Sequence, residues 1–249
     1  MRCLLSYLSA FAVSYHLFVS NGASSAPLQK TVNITAVEKC IHVLSKNDRD
    51  FGRRQVNQML RDRPDMARFV SQGEPVYEWA VRQFAGEGTG YRIQWENKAP
   101  RIDAPASNQY ATDFQKANIQ IAAKYKDTTP DGERLWATAV YELFNIRSGK
   151  SYYSLWEEAV ERKSTLDEWV KKNMRLEFEA VKNTRIFFEN YWRPLMTKKK
   201  IETHSYYWRE NGPSEFDEWL KSIDARPFLK YWKESFPDEE ILKQKQYSK

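Results

Sequence analysis

The chain has 249 residues, a formal net charge of +6 and a pI near 9.1, with 41% hydrophobic, 29% charged and 14% aromatic residues. That length can bury a sizeable core, and the composition excludes collagen-like, low-complexity and disulfide-scaffold classes. Only 9 Gly and 10 Pro argue against a turn-rich all-β protein, 9 Trp and 14 Tyr argue against disorder, and a single apolar stretch excludes several membrane spans.

That stretch is at the start. Arg2 is followed by an apolar run from Cys3 to Val19 and then by Ser20, Gly22, Ala23, Ser24, Ser25 and Ala26. A basic start, an apolar middle and a small-residue end are the three parts of a secretory signal. The expected organisation is a signal peptide over 1–25, a tether over 26–35 and one mature domain over 36–249. The mature chain is then secreted or otherwise extracytoplasmic and has no transmembrane segment. Removing the signal removes Arg2, its only charge, so the formal +6 falls to +5. Cys40 becomes the sole cysteine, which leaves no internal disulfide. It lies in the apolar run Cys40-Ile41-His42-Val43-Leu44 and reads as a small buried hydrophobe. Asn33-Ile34-Thr35 fits a glycosylation sequon.

From Thr35 to about Arg82 the apolar spacing predicts helices, broken at Pro64 and Pro75. The Gly-rich stretch 85–90 closes them. Alternation predicts strands near 91–95 and 118–125, with a loop over 98–110. Thr129 and Pro130 resemble a helix start, and the helix runs to about Asn145. Another helix covers Ser151–Arg162. Ser164 with Asp167 resembles a capping box and opens the longest helix, to about Trp192. Lys198–Lys200 marks a turn. Ser214 and Asp224 precede two last helices. The expected fold is α+β, a predominantly α-helical single domain with a small two- or three-stranded sheet.

Two helices carry polar groups inward. On a wheel, the apolar residues of 134–146 cover about 200°, and the rest is one polar stripe of Arg134, Thr138, Tyr141, Glu142 and Asn145. On 165–192, Glu177 falls inside the apolar arc together with Asn173 and Thr184. A carboxylate there is costly unless it is paired, hydrogen-bonded or protonated. Pairing with Arg134 or Arg185 is one explanation, and a functional carboxylate is another.

The order of strand 118–125, buried helix 130–146 and later helix with Glu177-Phe178-Glu179-Ala180 resembles the core of zinc metallopeptidases of the zincin type. The matching text is Ala139-Val140-Tyr141-Glu142-Leu143-Phe144-Asn145. The resemblance implies Glu142 in the general-base position and Glu177 as third ligand. Tyr141 and Asn145 stand where the two His ligands belong, and zinc needs imidazole, thiolate or carboxylate. The resemblance therefore implies a metal-free relative that keeps the scaffold, with no metal and no cofactor.

A Glu142 and Glu177 pair could alternatively serve peptide or glycoside hydrolysis, the latter needing two carboxylates at a set separation. No nucleophile elbow or phosphate loop is present. Tyr206-Tyr207-Trp208 is the best exposed aromatic platform, beside the Lys turn. Basic charge is interspersed with 33 acidic residues, which argues against nucleic acid. The expectation is an exported, non-catalytic binding or scaffold protein for a protein, peptide or glycan ligand. Its binding residues are Tyr141, Asn145, Asn173, Tyr206, Tyr207 and Trp208. The alternative is an extracytoplasmic hydrolase using Glu142 and Glu177 as catalytic residues.

Overall fold

The computed structural model describes residues 44–97, 106–110, 117–121 and 131–238, without the side chains of 106–110, 117, 118, 120 and 121. The signal, the tether, Cys40, His42 and the Asn33 sequon lie outside these residues. The fold is predominantly α-helical.

The first helix, α1 (Lys46–Asp62), starts at a capping box. Ser45 Oγ accepts from the Asp48 N–H, and the Asp48 carboxylate accepts from the Ser45 N–H, each at 3.1 Å. The chain then turns at the two expected prolines. Pro64 opens α2 (Pro64–Ala67) and Pro75 opens α3 (Pro75–Phe84), each at a first-turn position where a missing N–H costs no hydrogen bond. Helices α1 and α3 cross closely because Gly52 lacks a side chain: a Cβ there would lie 2.1 Å from the Val81 carbonyl oxygen.

Strand β1 (Ile93–Trp95) follows, with Ile93 and Trp95 buried and Gln94 exposed. Strands β2 (Ala106–Tyr110) and β3 (Ala117–Ile121) come next. Backbone pairing sets β3 parallel to β1, with Gln94 opposite Asn118, and antiparallel to β2, with Asn108 opposite Ile119. Residues 106–110 were expected in a loop. Pairing with β3 satisfies their backbone groups, which local sequence does not report. Residues 122–125 lie outside the described part.

Helix α4 (Gly132–Arg147) is the central beam, buried along nearly its whole length. Its cap is Asp131, whose carboxylate accepts from the Arg134 N–H at 2.8 Å, rather than the expected Thr129. Gly132 lets α2 sit on its first turn, since a Cβ would meet the Asp65 carbonyl at 1.9 Å. Helix α5 (Gly149–Val160) turns back over it.

Helix α6 (Leu166–Phe187) starts one residue later than expected, at a capping box of Thr165 and Glu168. It does not run on as α-helix to Trp192. A π-helical turn over Phe188–Trp192 intervenes before α7 (Arg193–Lys199). Pro194, with no N–H, is the second residue of α7, and a wider turn before it accommodates the interrupted ladder. Lys200 ends α7 in the left-handed region at φ 56°. A 3-10 turn over Ser205–Trp208, α8 (Phe216–Lys221) and α9 (Arg226–Glu234) complete the described chain.

Most of the buried apolar residues form one connected cluster from Val56 to Trp232. No described helix is long and apolar enough to cross a membrane.

Candidate functional site

The inward carboxylate found by periodicity is fully buried: Glu177 has 0% exposure. Three other helices converge on it. From α4, the Tyr141 hydroxyl and Asn145 Nδ2 donate to Oε2, the latter at 3.4 Å. From α9, Trp232 Nε1 donates to Oε1 at 3.2 Å. From α5, the Tyr152 hydroxyl donates to Asn145 Oδ1 at 3.3 Å. Its ring stacks on Trp232 at 5.3 Å, which itself stands edge-on to Trp169 at 5.2 Å.

Sequence spacing explains half of this box. Tyr141 and Asn145 are four apart and share a face of α4. Tyr152 and Trp232 arrive by tertiary packing. Burial pushes the Glu177 carboxyl up to about 7, against the hydrogen bonds from Tyr141, Asn145, Trp232 and Tyr152, which pull it down. Burial and the neighbouring Glu177 charge hold the Tyr141 phenol well above its usual range.

The expected cationic partners are elsewhere. Arg185 lies about two turns beyond Glu177 on α6, and its Nη1 donates to the Gly212 and Pro213 carbonyls at 3.0 and 2.6 Å. Arg134 lies at the opposite end of α4 from Asn145, and no ion pair joins it to Glu177 among the described residues. A guanidinium that does pack against Tyr141 is Arg209. It rests 5.3 Å from the ring centres of Tyr141 and Phe228, and burial brings it down to about 10. Glu177 is thus held by neutral donors.

Glu142, next to Tyr141, is 5% exposed. Two surface grooves of the described residues are lined by neither Glu142 nor Glu177. One, of about 480 Å³, runs between α5 and α6 past Leu155, Lys171 and Arg175, and the other lies beside Trp95 on α1. Asn173 is buried and turned onto its own helix, donating to the Trp169 carbonyl at 2.8 Å. Its Oδ1 has no hydrogen-bond partner among the described residues. It shares the helix face of Glu177 without bonding to the carboxylate.

The sequence does not single out another buried acid, Glu133. Glu133, in the first turn of α4, receives donors on both oxygens. Trp192 Nε1 and Trp208 Nε1 reach Oε1 at 2.8 and 2.9 Å. The His204 N–H reaches Oε2 at 2.9 Å, and His204 Nδ1 lies 3.1 Å from the same oxygen. In sequence Glu133 looks like an ordinary acidic residue near a helix N-terminus. The usable signal was the cluster of indoles downstream, since buried indole N–H groups need acceptors.

The aromatic platform divides. Trp208 is not exposed: its exposure is 0%, because its N–H is drawn inward to Glu133 and its ring packs on Phe188 and Trp192. Tyr207 is half-buried, its hydroxyl donating to Asp131. Tyr206 is 53% exposed and lies against Tyr207, with ring centres 4.1 Å apart.

Among the described residues no three His, Cys, Asp or Glu side chains group to hold a metal ion. Compared with protein families, curated proteins and solved structures, the chain matches none.

Proposed function

We propose that the chain is an exported, non-catalytic binding or scaffold protein, on a helical core that resembles a zincin-type metallopeptidase without its metal site. The small sheet formed by β1, β3 and β2 belongs to that core, lying beside α4 as the strand before the metal-binding helix does in the resemblance. One observation carries the reading. Tyr141 and Asn145, which the resemblance sets at the two His positions, both donate to Glu177, which it sets as the third ligand. A phenol and a carboxamide that donate into a carboxylate are a poor donor set for zinc. Trp232 closes the box from the other side. Glu142 and Glu177 are both buried, which supports the non-catalytic reading over the hydrolase.

The test is metal retention and turnover. The purified chain is exposed to zinc, exchanged into metal-free buffer and measured by elemental analysis, then assayed on mixed peptides and glycosides. The expected result is no retained zinc and no turnover. About one zinc per chain, lost in Glu177→Gln, overturns the reading, as does turnover lost in Glu142→Gln.

A further inference from the structure

The acid buried at the start of α4 has a surface counterpart. Glu133 is 1% exposed, yet the His204 side chain bonded to it is 52% exposed. Both carboxylate oxygens are filled by donors, so Glu133 acts as a fixed acceptor that sets the ring. With Nδ1 donating to it, the neutral imidazole keeps its lone pair on Nε2. A carboxylate behind one ring nitrogen fixes tautomer and orientation together. Beside it, the exposed Tyr206 ring stands edge-on to the imidazole at 82°, with centres 5.8 Å apart. Tyr207 backs both rings and is tied by its hydroxyl to Asp131. The patch therefore offers one open aromatic face and one pre-oriented acceptor at its edge.

We propose that His204 and Tyr206 form a glycan-binding site. The assignment rests on the non-catalytic reading above and supplies its ligand class. A pyranose presents C–H bonds on one face, which suit the electron-rich face of a tyrosine ring, and hydroxyl donors at its rim, which suit Nε2. A proline-rich peptide also stacks on aromatics. Its prolines have no N–H, so its backbone offers carbonyls that need donors. The acceptor beside Tyr206 favours the sugar. Because Glu133, Tyr207 and the indoles are already ordered, little side-chain freedom is lost on binding.

The test titrates the purified chain with chito-, cello- and malto-oligosaccharides and with a proline-rich peptide, reading the His204 and Tyr206 side-chain NMR signals. One oligosaccharide series is expected to saturate and to shift both residues. Tyr206→Ala and His204→Phe should each weaken that binding about tenfold or more with the circular dichroism spectrum unchanged. His204→Phe keeps a ring of similar size and removes the acceptor together with the Nδ1 bond to Glu133, whose Oε2 still accepts from the backbone N–H of residue 204. No saturation by any sugar below about 10 mM, saturation indifferent to both substitutions, or binding of the peptide alone overturns the proposal. Cleavage of a bound oligosaccharide would overturn the non-catalytic reading and leave the site standing, so the two failures are distinguishable.

Discussion

Replacing Glu177 by Gln should make the protein more stable at neutral pH and less stable in acid. The Glu177 carboxyl ordinarily titrates at 4.5 and is raised to about 7 by burial. A raised carboxyl pKa favours the protonated form in the fold. Its destabilising effect is therefore absent below 4.5, grows as pH rises from 4.5 to 7, and is complete above 7. At 1.36 kcal/mol per pKa unit, the full effect is about 3 kcal/mol. Gln carries no such penalty. It does replace one acceptor oxygen by an NH2 donor. Tyr141 can reverse its hydroxyl to accept from that NH2, and the remaining oxygen keeps the Trp232 bond. The contact with Asn145 Nδ2 becomes donor against donor, costing about 1 kcal/mol. Glu177→Gln should then gain about 2 kcal/mol at pH 8 and lose about 1 kcal/mol at pH 4.5. Urea titrations followed by tryptophan fluorescence across that range would measure it, the gain at pH 8 moving the midpoint by about 1 M. A stability difference that stays constant from pH 4.5 to 8 refutes the reasoning.

Other substitutions probe separate parts of the frame. Gly52→Ala pushes a Cβ toward the Val81 carbonyl, and should cost about 3 kcal/mol in the same urea assay, with the α1–α3 amides losing exchange protection first. Trp208→Phe keeps the ring in the aromatic cluster but removes one donor from Glu133. A loss of about 2 kcal/mol is expected, and none would mean that the carboxylate does not need it. Thr165→Ala removes the capping-box hydroxyl at the start of α6, for a loss of about 1 kcal/mol in thermal unfolding. Thr165→Ser should restore most of that loss.

Helical periodicity revealed Glu177 because one acid among Val170, Val181 and Phe188 breaks a 3.6-residue pattern, and the pattern is local. The i, i+4 relation placed Tyr141 and Asn145 on a shared face for the same reason. What solvates that acid was not legible. Trp232 lies 55 residues further on, and nothing in its own helix says whether its N–H faces water or a carboxylate. An arginine partner is the natural expectation, yet neutral side chains, Tyr141, Asn145 and Trp232 among them, donate to the carboxylate. Glu133 escaped notice because an acid in a first helical turn is what the helix dipole favours at a surface. Trp208 was misjudged for the matching reason: a Tyr-Tyr-Trp run beside lysines reads as surface, and only the distant acceptor draws the indole inside. Boundaries shifted by a residue or so where two capping residues stood close together, as at Ser164 and Thr165.

Two of the buried acids, Glu133 and Glu177, also order events in time. Glu133 receives its bonds from residues 59, 71 and 75 positions downstream, and Glu177 receives its indole from 55 positions downstream. A ribosome emits a chain from its N-terminus at about 5–20 residues per second. The middle helices therefore emerge several seconds before the groups that neutralise their interior. Until Trp232 leaves the exit tunnel, packing α4 against α6 would strand a carboxylate without its full set of donors. Nascent chains arrested before that residue should stay open to protease, and those released after it should close. For a chain threaded through a translocon, as the proposed export requires, such late closure keeps the polypeptide pliable for the length of its passage.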